Sequence, residues 1–185
     1  GAMNNIDKNF VFDISRGLSR RFTFISIYPP AQEFFSAEVE NAKIKAKKRV
    51  CTKMGTFGDV TIDDGYFERI LKDTDFRDAE IILWNLLKQI RYENDDTYLG
   101  LMIGTAQIID VYETIFLNMI VGKYLEDDNK SVAIKKIVDS AVYNRIVPQM
   151  IDYKYEKLNS FYESLHNKDE YSWFIKTKIG IKSLV

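Results

Sequence analysis

The sequence predicts a mainly α protein: a helical bundle preceded by a short segment carrying one β-strand. Two observations carry the helical part: only three prolines in 185 residues, and apolar side chains recurring every three or four positions through long stretches between about residues 76 and 145. One observation carries the strand, the run Phe-Thr-Phe-Ile-Ser-Ile-Tyr at residues 22–28, which is rich in β-forming side chains and stops at Pro29-Pro30. A lone strand cannot satisfy its own backbone hydrogen bonds, so its sheet is expected in residues outside this chain. The two units are residues 1–30, ending the strand segment, and residues 31–185, the helical domain; Gly1-Ala2-Met3 reads as tag-derived.

Each helix has its own signal. Residues 31–50 lack glycine and proline, with Glu33, Glu38 and Glu40 early and Lys43, Lys45, Lys47, Lys48 and Arg49 late, an order that complements a helix macrodipole. Lys53 to Gly65, with three glycines, predicts a loop leading into a short helix at about 63–73. A helix at about 76–93 takes Asp75 as its N-cap and buries Ala79, Ile82, Leu83, Leu86, Leu87 and Ile90. Gly104-Thr105 opens the next, about 105–124, whose broad stripe of Ile108, Ile109, Tyr112, Ile115, Phe116, Met119 and Ile120 predicts a central position. Further helices are expected at about 130–145, through Val132, Ile134, Ile137, Val138 and Ala141, at 149–165 and at about 168–178.

Composition narrows the chemistry. With 26 basic and 27 acidic side chains the formal charge is −1, so no global field draws in nucleic acid or an anionic membrane, and any polyanion contact must be local. Cys51 and His166 are the only residues of their types, which excludes an internal disulfide and a Cys/His zinc site and fits a reducing, cytoplasmic setting. The most apolar stretch, Tyr98 to Tyr124, is interrupted by Asp110, Glu113 and Asn118, so a core helix is expected there and no membrane span. No GxxxxGK[ST] loop, HExxH pair, GxSxG elbow or CxxC pair occurs. His166 reads as a surface side chain and Cys51 as inert. Gly100 to Gly104 matches GxxxG, but a turn before a helix explains the second glycine better. The basic cluster Lys43 to Lys53 offers a secondary, nucleic-acid-binding reading alongside that of a solvated helix face.

The opening segment carries a more specific pattern. Met3-Asn4-Asn5-Ile6-Asp7, then Gly17-Leu18-Ser19-Arg20-Arg21-Phe22, then the strand and the two prolines, resemble the end of a AAA+ NTPase core of the McrB and MoxR-related type. The resemblance implies that Asn4 is the sensor 1 asparagine, that Asp7 is the family's nucleotide-side aspartate, and that Arg20 and Arg21 belong to the arginine-finger region. Serine at position 19 departs from the family's triple arginine. Residues 31–185 then correspond to the helical lid, in which Leu101 to Asp110 and Ala141 to Gln149 are similar to family segments, and Gly104 and Thr105 take the nucleotide-side start of a lid helix. Thr105-Ala106-Gln107 stand where many lids have a sensor 2 arginine.

The same resemblance implies a fragment that is inactive alone for want of a phosphate loop. In the intact protein it implies GTP or ATP hydrolysis with Mg2+ by a ring, commonly a hexamer, coupled to a McrC-like nuclease subunit and so indirectly to DNA, with no membrane contact. The reading from another class is a stand-alone helical protein-interaction module.

Overall fold

The computed structural model describes residues 29–57, 64–92, 98–122, 124 and 129–185. Seven α-helices make up most of these: α1 (Phe35–Phe57), α2 (Asp64–Lys72), α3 (Thr74–Arg91), α4 (Thr105–Val121), α5 (Lys130–Arg145), α6 (Tyr155–His166) and α7 (Ile175–Lys182). The described residues form a helical bundle with no strand among them, while the expected strand at 22–28 lies outside them.

Helix α4 is central because its apolar residues cover more than one face. Ile108, Ile109, Val111, Tyr112, Ile115, Phe116 and Met119 are all buried, so one side packs along α1 while another meets α5. Helix α5 passes the contact on to α3 and α7, and α6 closes against α7. On α5 the expected apolar face is partly right: Ile134, Val138 and Ala141 are buried, but Val132, in the first turn, is about half exposed.

Several boundaries differ from those the sequence predicts. Helix α1 does not stop near residue 50 but runs through Gly55 to Phe57, which leaves no basic residue in its last turn. The lysines therefore lie mid-helix, and the expected macrodipole complement is lost. Helix α3 begins earlier than expected, with Asp73 as the N-cap: its Oδ1 accepts from the Phe76 N–H at 3.2 Å. Asp75 instead sits in the first turn, where it and Asp73 flank the Lys130 ammonium at 3.5 and 2.7 Å. In place of one helix over 149–165, a single 3-10 turn at Val147–Met150, with Pro148 in it, precedes α6.

After Arg91 the chain doubles back along the end of α3. The Leu99 and Leu101 N–H groups donate to the carbonyls of Gln89 and Ile90, both at 2.8 Å, satisfying acceptors that a helix end leaves open. Gly100 between them has φ 71°, a left-handed conformation that a side chain resists. The Tyr153 hydroxyl pins this return by donating to the Leu99 carbonyl.

The last helix owes its position to a distant residue. Its N-cap is Phe174, which has no side-chain acceptor. The buried Asp139 of α5 supplies one, accepting from the Lys176 and Thr177 N–H groups at 2.8 and 2.9 Å. The helix expected over 168–178 is thus a 3-10 turn at Asp169–Tyr171 followed by α7, which approaches α5 closely where Gly180 faces the Tyr143 ring.

Tyr112 ties three elements together: it accepts from Trp84 Nε1 at 2.7 Å and donates to Glu80 Oε1 at 2.8 Å, while Lys43 Nζ meets the same Glu80 oxygen at 3.2 Å. Burial, and then the Glu80 carboxylate, push the Tyr112 phenol well above 10.0. Burial raises Tyr92, Tyr124, Tyr153 and Tyr171 in the same direction. A phenol that ionises more readily unfolded than folded makes the folded state lose stability as pH climbs past the unfolded value. The urea midpoint is expected to fall steeply above about pH 10 and, as far as these tyrosines are concerned, to be flat just below it. A midpoint unchanged up to about pH 11 would show that the phenols ionise without unfolding.

Candidate functional site

The concave feature that gathers chemistry is a groove of about 610 Å³ between α1, α4 and the end of α5. Lys45, Lys48, Arg49, Thr52 and Lys53 line it from α1, Asp110 and Glu113 from α4, and Arg145 from α5. The α1 residues share one face because they lie three, four, seven and eight positions after Lys45. Thr52 and Lys53 join that face only because α1 continues beyond residue 50.

Among the described residues, five cations and two carboxylates give the groove a formal excess of three positive charges. The carboxylates engage only part of the set. Arg49 Nη1 bonds Asp110 Oδ1 at 2.8 Å and Glu113 Oε2 at 3.4 Å, and Lys53 donates to Glu113 Oε1. Glu113 is almost wholly buried, so both cations are fixed against a shielded anion. Arg145 is held through Nε, which donates to Thr114 Oγ1 at 2.9 Å, and has no carboxylate partner among the described residues. Lys45 and Lys48 are exposed and likewise unpaired with any described carboxylate.

The basic cluster of the sequence is therefore divided by the fold. Lys43 is no part of an anion surface: it is buried between Glu40, at 2.6 Å, and Glu80. Lys47 lies 5.4 Å from the Phe67 ring centre. Arg145, contributed by the far end of α5, had no local sequence signal.

Of the residues assigned by resemblance, Asn4, Asp7, Arg20 and Arg21 lie outside the described residues. Gly104 and Thr105 are at the start of α4 and do not line the groove. The Gly104 N–H donates to Gln107 Oε1 at 2.9 Å. The Thr105 hydroxyl donates to Glu38 Oε1, inside a buried ion pair in which Arg91 Nη2 reaches the same oxygen at 2.9 Å and Nη1 reaches Oε2. His166 is exposed and stacked on Tyr162 with centroids 5.9 Å apart, and Cys51 is a half-buried free thiol. Among the described residues no group of three His, Cys, Asp or Glu side chains could hold a metal ion, and no helix is long and apolar enough to cross a membrane.

No protein-family model matches the chain, and no curated protein or solved structure matches it.

Because the Thr105 hydroxyl serves Glu38, Thr105→Val is expected to destabilise the fold by about 1.5–3 kcal/mol, the usual worth of a hydrogen bond to a charged group. Urea unfolding at neutral pH reads it directly. An unchanged midpoint would mean that the hydroxyl is free for another partner.

Proposed function

We propose that this chain is the C-terminal portion of a AAA+ nucleotide-hydrolysing ring motor of the McrB-related type, with residues 31–185 as its helical lid. The observation that supports this is one of order: Asn4, Asp7, Ser19-Arg20-Arg21-Phe22 and Pro29-Pro30 directly precede a domain whose described residues are mainly helical from Phe35 onward. In this reading Arg20 and Arg21 enter the neighbouring subunit's nucleotide site. A planar, permanently charged guanidinium there stabilises the charge on the transferring phosphoryl group, and supplying it in trans makes hydrolysis depend on assembly. In the same reading Asn4 is the sensor 1 asparagine of its own subunit and Asp7 is the family's nucleotide-side aspartate.

The lid's contact falls at the start of α4. In this reading Gly104 and Thr105 mark the nucleotide-side start of that helix, where the Thr105 hydroxyl is already engaged by Glu38. The phosphate loop and the acid that holds Mg2+ are supplied by residues outside this chain, so GTP or ATP is hydrolysed only in the intact ring. A McrC-like nuclease subunit is the partner through which the ring would reach DNA.

Pure chain is expected to release no phosphate from GTP or ATP above a buffer blank. In the intact protein, Arg20→Ala or Arg21→Ala is expected to leave nucleotide binding nearly unchanged and to lower turnover at least about a hundredfold, since a trans arginine contributes about 10³–10⁵ in rate. Mixing the arginine variant with a subunit defective in its phosphate loop should restore part of the activity. Wild-type turnover in both variants would make the arginines ordinary surface charges and remove the main support for the reading.

A further inference from the structure

We propose that the groove between α1, α4 and α5 grips the phosphate backbone of duplex nucleic acid, through Lys45, Lys48 and Arg145. The proposal rests on the groove alone and stands or falls separately from the NTPase reading. A chain with formal charge −1 has no general attraction for polyanions, so an unneutralised excess of three positive charges in one concavity is a local feature.

Glu113 and Asp110 explain how the excess is arranged. They pair with Arg49 and Lys53, which stay about half exposed, and leave Lys45, Lys48 and Arg145, all exposed on two helices, with no carboxylate partner among the described residues. Lys45 and Lys48 stand about one helical turn apart, roughly 4.5 Å along the axis of α1. Arg145, oriented through Nε by Thr114, answers them from the far wall. A single inorganic phosphate would leave most of the 610 Å³ empty.

The lining also selects among phosphate-bearing ligands. Among the described residues it contains no aromatic side chain and, apart from Thr52, consists of charged residues. A nucleotide needs a surface for its base, and single strands are held largely by stacking on aromatic rings. Contacts to phosphates alone suit a duplex, whose bases are already stacked, and carry no sequence preference.

The test is fluorescence anisotropy of the pure chain with a labelled mixed-sequence duplex of about 20 base pairs, titrated at several salt concentrations. Three phosphate contacts predict a slope of log K against log salt of about −2.7, or roughly a 40-fold loss of affinity from about 50 to about 200 mM salt. Lys48→Gln and Arg145→Gln should each reduce the slope by about 0.9. Asp110→Asn, which removes a negative charge from the groove, should tighten binding. Lys136→Gln, the same charge change on an exposed residue outside the groove, should alter neither slope nor affinity. Circular dichroism of each variant checks that it is folded. No binding at the lowest salt, equal losses from Lys136→Gln and Lys48→Gln, or tighter binding of an oligothymidine strand than of the duplex would each overturn the proposal.

Discussion

The bundle is organised around one buried carboxylate. Glu38, near the start of α1, receives both Nη groups of Arg91 at the end of α3 and the hydroxyl of Thr105 at the start of α4. The Glu38 and Arg91 side chains are only 5% and 1% exposed, so each charge has given up its water and depends on the other. Burial of this kind adds little net stability compared with a well-packed apolar cluster, but it penalises arrangements that separate the pair. Sliding α1 by one turn along α4 would strand two charges in the core. The pair therefore locks α1 to the end of α3, and with the Thr105 hydroxyl on the same carboxylate it helps to hold the register of α1 on α4, which brings Arg49 and Lys53 opposite Asp110 and Glu113.

Other carboxylates repeat the device at the starts of α3 and α7 and in the middle of α3. Asp73 caps α3 and joins it to Lys130 at the start of α5, and Asp139 caps α7 from the middle of α5. Glu80 anchors Tyr112 and Lys43 between α3, α4 and α1. The apolar core supplies the driving force through non-directional burial, while these directional contacts select one packing among those the core alone would allow.

These two kinds of contact differ in how far the sequence reveals them. Periodicity exposed the buried faces of α3 and α4, because Leu83, Leu86, Leu87, Ile108, Tyr112 and Phe116 recur at helical spacing whatever they pack against. The end of α1 was hidden: Gly55 and the glycines after it look like a loop, but the helix carries one glycine before it stops. The start of α7 was hidden more completely, since its cap is 37 residues away on α5. Half of the groove was visible as the basic run on α1, whereas its division into fixed and free cations depends on Asp110, Glu113 and Arg145, which meet only in three dimensions. Thr105, assigned to nucleotide by resemblance, is engaged by Glu38, a contact spanning 67 positions that no local pattern announces.

A double-mutant cycle on Glu38 and Arg91 probes the organising contact most directly. Glu38→Leu, Arg91→Met and the double variant would be compared by urea unfolding, with the m value checked for each. If the pair fixes the bundle, each single change strands a buried charge and costs about 3–5 kcal/mol, while the double change costs clearly less than their sum, giving a coupling of about 2 kcal/mol or more. Single effects that add to within about 0.5 kcal/mol would contradict this, showing that Glu38 and Arg91 are stabilised independently and that the register of α1 on α4 is set elsewhere.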